Sequence, residues 1–341
     1  MIKLSDYDFD YPEELIASQP AEPRDASRLL VLGRQSGERR HAHFRDLPKF
    51  LAPGDCLVLN RTKVLSCRLS GKKSTGGKAE LLLVKELAPG RWSALASGLK
   101  KGGVLEFPGG LSARVEGLSA EGEYELSFSR TDVPAYLEEH GLTPLPPYIL
   151  KKKRQTTAYD VARYQTVYAR DRGSIAAPTA GLHFTPELLA ALAAMGVRVA
   201  HVTLHVGRGT FRPITAEDAA AHKMLPEWFR MEPEDAALVC QARAEGRRVV
   251  AVGTTATRTL ETLARRPQGF GPGEGESELY LYPGSEFKVV SALITNFHLP
   301  RSTPLMLASA FAGRENLLAA YREAIGMHYR LYSYGDATLI L

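Results

Sequence analysis

The chain has 341 residues, 44% hydrophobic and 24% charged, the proportions of an ordinary soluble protein with ample mass for a packed core in about two domains. Lys and Arg (43) exceed Asp and Glu (38), a net charge of +5 that permits a polyanionic partner without requiring one. Cys56, Cys67 and Cys240 form no close pair, which argues against a disulfide framework and a thiolate zinc site and fits a reducing cytoplasm. Cys56 and Cys67, in apolar alternating segments, read as small core residues. The acidic opening MIKLSDYDFDYPEEL lacks the apolar core of a signal peptide, and no apolar stretch approaches a membrane span. A soluble, cytoplasmic protein is expected, with no membrane contact.

In chain order, a helix is predicted from Pro12 to Ala17, then a polar loop and the strands RLLVL and CLVLN (56–60). From about 62 to 130 the texture changes to short alternating segments, among them KAELLLVKEL, RWSALA and EYELSFS, separated by Gly- and Lys-rich turns. That succession reads as a small antiparallel barrel or sandwich. The Pro-rich LTPLPPYILKKKR (142–154) reads as its exit. Beyond 174, strands alternate with helices. Thr185-Pro186-Glu187 opens a helix that stops at Gly196, VRVAHVTLHVG is a strand, and RRVVAVG runs into the helix TTATRTLETLARR. KVVSALITNF is a further strand, and Thr303-Pro304 opens another helix. The pattern predicts an α/β fold with a mostly parallel sheet, in a discontinuous domain of residues 1–61 and 151–341 interrupted by a β-barrel insert of residues 62–150.

Three loops sit at the ends of apolar strands, where open α/β sheets bind ligands. Ala177-Pro178-Thr179-Ala180-Gly181-Leu182-His183-Phe184 has small residues for close backbone approach, with His183 either a titratable group at the mouth or a hydrogen-bonded residue of a tight crossover. Gly253-Thr254-Thr255 leads into a helix carrying Arg258 and Glu261, either an anion site or a capped structural helix. Thr295 to Thr303 packs Asn296, His298, Arg301 and Ser302 into nine residues, a polar density high for a connector. Neither a phosphate-binding P-loop nor a GxGxxG turn is present.

His201 and His205 alternate on one strand face, and His41 and His43 form the only comparable pair; nothing links the two pairs, so no metal is predicted. The run Lys151-Lys152-Lys153-Arg154 reads as a solvated turn or, if RNA binds, a phosphate contact. Tyr329 to Asp336 is either an aromatic core strand or, with Tyr334, a platform for an unpaired base.

Taken together, PEELIASQPAEPRDASRLLVL, LVLNRTKVLSCRL, YQTVYAR, IAAPTAGLHFT, HVGRGTFRPI, YPGSEFKVVSALITNFHLPRST and YRLYSYGDATLIL closely resemble the S-adenosylmethionine:tRNA ribosyltransferase-isomerase family of queuosine synthesis, from about residue 9 to 341. The sequence departs from the pattern at Ser66-Cys67, Leu225, Ser277-Glu278 and Ser291. The resemblance implies an α/β domain with a β-barrel insert. It also implies transfer and isomerisation of the ribosyl portion of S-adenosylmethionine onto 7-aminomethyl-7-deazaguanine at the wobble position of a tRNA with a GUN anticodon. The products are epoxyqueuosine in tRNA, adenine and methionine. S-adenosylmethionine is then a co-substrate and no cofactor is expected; a monomer is expected.

On that reaction, His183 and His298 are the acid/base pair, with Asp336 orienting or accepting protons and His205 a weaker candidate. Arg24 and Arg258 suit the methionine carboxylate or a phosphate, and Thr179, Gly181, Thr255, Asn296 and Ser302 the nucleoside pocket. Lys63, Arg68, Lys151, Lys152, Lys153 and Arg154 are candidate RNA backbone contacts. Two rivals are an RNA methyltransferase, which the missing glycine-rich turn opposes, and a non-catalytic tRNA-binding module, which the polar density of the three loops opposes.

Overall fold

The computed structural model describes residues 2–120, 122–153, 156–207, 209 and 214–341. Nine strands form one sheet: β1 (Arg28–Leu32), β2 (Arg39–His43), β3 (Cys56–Asn60), β12 (Arg198–Leu204), β13 (Glu227–Met231), β14 (Val249–Val252), β15 (Gly273–Ser277), β16 (Ala292–Asn296) and β17 (Ala337–Ile340). Their order is β15-β13-β12-β3-β14-β16-β17-β1-β2. The centre, β12-β3-β14-β16, is parallel, and β17 joins it antiparallel to β16. The apolar runs of the central strands follow from burial on both faces. Cys56 and Val58 of β3 enter one core, with Val249 and Ala251 of β14. Leu57, Leu59, Val250 and Val252 enter the other. Helices α5 (Pro233–Ala244), α6 (Gly253–Leu263), α7 (Thr303–Ala312) and α8 (Arg314–Gly326) cover the first face, and α4 (Pro186–Ala194) the second. Cys56 and Cys67 are fully buried, and burial raises both thiols to about 12, as inert core residues.

Strands β5 (Arg68–Lys73), β6 (Lys78–Ala88), β7 (Arg91–Leu95), β8 (Val104–Glu106), β9 (Ser112–Leu118) and β10 (Tyr124–Phe128) close into a barrel in the order β10-β7-β6-β5-β8-β9. Leu69, Leu81, Trp92, Val115 and Leu126 fill it, and helix α1 (Val133–His140) adds Val133, Tyr136 and Leu137 to the same cluster. A parallel ribbon of β4 (Thr62–Val64) and β11 (Asp171–Ser174) joins the barrel to the sheet. The chain returns through α2 (Pro147–Lys152) and α3 (Ala158–Arg163).

Two local expectations are corrected. Pro12 to Ala17 is not a helix but a single 3₁₀ turn, Glu13–Leu15, because the segment pairs elsewhere: Ile16 bridges Leu331, and the Ala17 N–H donates to the Leu331 carbonyl. The strand expected over KVVSALITNF is confined to Ala292–Asn296. The preceding N–H groups are taken by one carboxylate. Glu261, fully buried on α6, accepts from Val289 and Val290 at Oε1 and from Lys288 at Oε2, each at 2.9 Å, and pairs with Arg265 at 2.6 Å.

Because this carboxylate satisfies three backbone donors, two of them on the buried Val289 and Val290, Glu261→Ala should lower the unfolding free energy by about 3–5 kcal/mol. Glu261→Gln, which keeps acceptor capacity at one oxygen, should lose less. Denaturant titration of both variants checks the ranking, and an alanine variant as stable as the wild type would dismiss the anchoring role.

Candidate active site

The C-terminal ends of the parallel strands β14 and β16, the turn after β11 and the loop entering β17 meet around one cavity of about 560 Å³. This is the edge at which a parallel sheet presents its loops to a ligand, and the volume lies in the range of small-molecule sites. The three loops singled out in the sequence converge here. Ala176 to Ala180 come from the first, Gly253 to Thr255 from the second, and Thr295 to Ser302 from the third. Tyr11, Glu13 and Ile16 from the N-terminal segment, Tyr148 and Lys151 from α2, and Tyr332 and Ser333 close the remaining sides.

Each loop is shaped by an identifiable local cause. The β14–α6 turn requires Gly253, whose φ of 85° is open to glycine and strained for other residues. In the first loop, a Cβ on Gly181 would meet the Tyr168 hydroxyl at 2.0 Å, so only glycine lets the turn close. The third loop ends at Ser302, whose Oγ caps α7 by accepting from the Leu305 N–H and donates to the Leu299 carbonyl at 2.7 Å. Arg301 (φ 55°) and Tyr332 (φ 71°) are non-glycine residues held in the left-handed region, and both line the cavity. Such backbone strain persists where the surroundings over-determine it, typically at functional sites.

One hydrogen-bonded chain runs from the cavity wall into the core. Thr179 Oγ1 donates to Asn296 Oδ1 at 2.8 Å, and Asn296 Nδ2 donates to His183 Nε2 at 3.1 Å. His183 Nε2 is therefore an acceptor, which places the proton on Nδ1, 2.8 Å from the Ser27 hydroxyl. The ring stacks on Phe44 with centroids 5.0 Å apart. Burial, with the Arg330 and Arg24 charges adding, holds His183 down at about 3, so it is neutral. His298 lies at the cavity itself. Its Nε2 is 2.7 Å from Thr295 Oγ1, and its backbone N–H donates to the Tyr321 hydroxyl at 3.0 Å. Burial lowers its pKa to about 3 as well.

Thr179, Thr255, Asn296, His298, Ser302 and Lys151 thus line the cavity, whereas His183, Gly181, Arg24, Arg258, Asp336 and Tyr334 lie behind its wall. Arg24 donates to the carbonyls of Leu182 (3.1 Å) and Ala162 (3.2 Å), tying α3 to the first loop. Arg258 is buried against Glu227 and donates to the carbonyls of Ser277 and Leu279, both at 2.9 Å. The Glu227 carboxylate also accepts from the Gly207 N–H at 2.8 Å. Asp336 accepts from the N–H groups of Arg28 (2.9 Å) and Arg330 (2.8 Å) and from Arg28 Nε (3.2 Å), closing the 330–336 loop that carries Tyr332 and Ser333. Tyr334 packs edge-on against Tyr164 inside the protein. His205 sits on Trp228 and bonds Thr62 Oγ1 at 2.8 Å, outside the cavity lining.

The basic run is largely committed to internal bonds. Lys152 Nζ donates to the carbonyls of Glu13 (2.7 Å) and Ile16 (2.9 Å), and Lys153 to Asp160 (2.6 Å). Lys151 pairs with Glu13 at 3.0 Å, and Arg68 with Glu80 on the barrel surface. Lys63 lies on β4, and Arg154 falls outside the described residues. At the departures from the family pattern, Ser277 bonds Thr262 Oγ1 at 2.7 Å and Ser291 Oγ accepts from the Val249 N–H at 2.8 Å, both structural contacts.

Of the aromatic side of the site, sequence reasoning singled out the 329–336 stretch and missed Tyr11 and Tyr148. Tyr332 contacts Tyr11 and Tyr148, with centroids 5.6 and 5.2 Å apart, and the Tyr148 hydroxyl bonds Ser333. It also missed Ser27. Ser27 lies within the segment PEELIASQPAEPRDASRLLVL and Tyr11 just before it, but neither residue type announces a role there; only the aromatic density of 329–334 signalled Tyr332.

The chain is similar to known proteins along its whole length. The family described as queuosine biosynthesis protein matches residues 4–340. A protein of Anaeromyxobacter dehalogenans named S-adenosylmethionine:tRNA ribosyltransferase-isomerase is 52% identical, covering 100% of this chain and 99% of its own. Its namesake from Thermotoga petrophila is 48% identical, covering 100% of each. The crystal structure of S-adenosylmethionine tRNA ribosyltransferase from Thermotoga maritima is 38% identical and aligns over 98% of this chain and 100% of its own, with a TM-score of 0.57. The chain therefore belongs to the queuosine biosynthesis protein family.

Proposed function

We propose that the chain transfers and isomerises the ribosyl portion of S-adenosylmethionine onto 7-aminomethyl-7-deazaguanine at the wobble position of a GUN-anticodon tRNA, releasing adenine and methionine. The observation that carries this reading is the convergence of three polar strand-end loops on one cavity of nucleoside size, in a chain about half identical over its length to proteins bearing that name. S-adenosylmethionine serves as co-substrate, with no resident cofactor.

The chemistry asks for a base at the ribose C5′ proton, which the neighbouring sulfonium acidifies, a proton for departing adenine, and a neutral attacking amine. His298 is the histidine that faces the cavity, and its Nδ1 has no protein partner among the described residues. Burial keeps it neutral at physiological pH, the form a base requires, while also weakening it as a base. His183 acts through Asn296. As an acceptor at Nε2 it fixes which way the amide points, and the amide in turn holds the Thr179 hydroxyl. Asp336, Arg24 and Arg258 hold the loops that form the wall, and holding a flexible donor in attack geometry contributes much of the rate. Lys151, exposed at the mouth beside an exposed Glu13, can exchange that weak pair for an RNA phosphate.

Incubation with S-adenosylmethionine and tRNA carrying the aminomethyl-deazaguanine should release adenine and methionine in equal amounts and leave an epoxide-bearing nucleoside in the digested tRNA. Methyl label in the tRNA would favour the methyltransferase rival, and no adenine above a no-tRNA control would sink the enzyme reading. His298→Ala should reduce kcat by about 10²–10⁴-fold. His183→Gln, whose Oε1 can still accept from Asn296, should stay within about tenfold of wild type while His183→Ala falls well below it. Equal losses in the two would assign His183 to proton transfer instead.

The same histidine makes stability depend on pH. Its folded-state pKa of about 3 lies below the unfolded value of about 6.5, so between these the unfolded chain binds more protons. Unfolding free energy should therefore fall as pH drops below about 6.5, with His183 contributing about 1.4 kcal/mol per pH unit. Denaturant titrations from pH 7 to 4.5 should show a shallower fall for His183→Gln.

A further inference from the structure

The strands of the barrel divide into two flanks of opposite charge. Residues 68–101 carry eight Lys or Arg against two Asp or Glu, whereas residues 104–139 carry two against eight. Closure in the order β10-β7-β6-β5-β8-β9 turns this division along the chain into one in space. Strands β5, β6 and β7 lie side by side, and β8, β9 and β10 complete the circle through the pairing of β9 with β10. One flank is therefore basic, and the other carries Glu106, Glu116 and Glu125.

The basic flank is left uncompensated. Lys72, Lys78, Lys85, Lys100 and Lys101 are exposed, and none of them has an acidic partner among the described residues. Lys72 stands directly opposite Lys78 in the β5–β6 ladder, a like-charge pair that costs stability. Lys73 Nζ donates to the Gly98 carbonyl at 2.7 Å, which draws the turn carrying Lys100 and Lys101 against the β5–β6 hairpin and adds to the charge there. By contrast, Arg61, Arg198 and Arg248 around the sheet each have a carboxylate partner, in Asp171, Glu245 and Asp55. A concentration of like charge that weakens the fold suits a polyanionic partner.

We propose that the basic flank of the barrel, through Lys72, Lys78, Lys100 and Lys101, binds the sugar–phosphate backbone of the tRNA outside the loop whose base enters the cavity. The inference rests on the reading of tRNA as substrate. The flank starts where the insert meets the cavity wall. Leu142 on the returning arm pairs with Arg68 at the start of β5, and the arm continues into α2 with Tyr148 and Lys151. From Arg68 to Lys73, β5 runs about 17 Å at the usual rise of a strand. An RNA duplex with one phosphate charge per about 1.7 Å of axis offers about ten charges over that length, enough for four lysines to find partners. The acidic flank of a second copy is the other complementary surface, but that contact is head-to-tail and propagates unless its rotation closes a ring.

The test measures tRNA binding over a salt series for wild type and for a triple variant, Lys72→Gln with Lys78→Gln and Lys101→Gln. The triple variant should bind tRNA about 10–100-fold more weakly at about 0.1 M salt, with a log–log salt slope shallower by about 2–3, the worth of three phosphate contacts. In turnover the loss should appear in the tRNA KM, while calorimetric binding of S-adenosylmethionine without tRNA stays as in wild type. Arg at the same three positions should restore both affinity and slope. A charge-matched control at exposed positions outside the barrel, Lys3→Gln with Lys288→Gln and Arg322→Gln, should stay within about twofold of wild type, because charges more than about 10 Å away are screened at that salt. Since the triple variant relieves like-charge repulsion, its melting temperature should hold or rise. Wild-type affinity and slope in the triple variant would overturn the proposal, and so would an equal loss in the control, which would make net charge responsible. A marked fall in melting temperature would make the lysines structural, and self-association of wild type that the triple variant abolishes would give the flank to a second copy; either overturns the assignment. Failure of wild type to bind tRNA carrying the aminomethyl-deazaguanine would instead overturn the underlying reading, so the two failures are distinguishable.

Discussion

The cavity depends on the orientation of one buried amide. Asn296 ends β16 with 2% of its surface exposed, so each of its polar atoms must find a partner inside the protein or on a ligand. Its Nδ2 gives one hydrogen to His183 and retains a second, and its Oδ1 takes the Thr179 hydroxyl while keeping a second lone pair. A protonated His183 would set a donor against a donor at Nε2, flip the amide and strip Thr179 of its acceptor. The low basicity of this imidazole, set by its burial, therefore preserves the arrangement of the cavity wall. The chain also joins three parts far apart in sequence: Ser27 before β1, the turn at 179–183 and the end of β16.

That link explains what was legible in the sequence and what was not. The strands RLLVL and CLVLN, the barrel texture and the helix starts at Thr185 and Thr303 are set by local patterns, and each appears in its place. The three polar loops were legible as sites because strand-end position and composition are local properties too. What was hidden is direction. His183 and His298 lie in similar loops with similar neighbours, but one points into the core beneath Phe44 and the other to the cavity. On the resemblance and its reaction, Arg258 was assigned to an anion, Asp336 to proton handling and the lysine run to an RNA backbone. Their partners, Glu227, Arg28, and the carbonyls of Glu13 and Ile16, are 31 to 308 residues away and carry no local signal. The 3₁₀ turn at Glu13–Leu15 failed as a helix for a related reason, since its continuation is claimed by Leu331.

Charge is distributed on the same principle. Buried guanidinium and carboxylate groups next to the site are neutralised by each other or by backbone groups, as burial demands. Arg258 meets Glu227, Asp336 meets Arg28, and Glu261 collects three N–H groups beside Arg265. These pairs hold the α6 helix, the 330–336 loop and the start of β16 in fixed relation. The groups left to face a ligand are mostly neutral: hydroxyls, an amide, an imidazole and aromatic rings. A reaction that carries a sulfonium to a neutral thioether changes charge at its centre. Neutral, preoriented dipoles can follow that change without the desolvation that an exposed fixed charge would require.

The barrel insert is part of this site rather than an appendage to it. The chain leaving the barrel pairs with β5 at Leu142, then turns into α2, whose Tyr148 and Lys151 stand in the cavity wall. Tyr148 bonds Ser333 of the 330–336 loop, and Lys152 bonds the N-terminal segment at Glu13 and Ile16. One side of the cavity is consequently built by the returning arm of the insert and the other by the sheet. A nucleic acid reaching the cavity must cross the lip between them, and a base within an intact stack cannot reach into a recess of this kind. Reaction there requires the target base to leave its neighbours, as in other enzymes that work on a nucleobase in place. An anticodon loop, whose bases are already unpaired, meets that requirement at lower cost than a duplex. The rings of Tyr11, Tyr148 and Tyr332 line this side of the cavity, with Tyr332 packed edge-on against the other two.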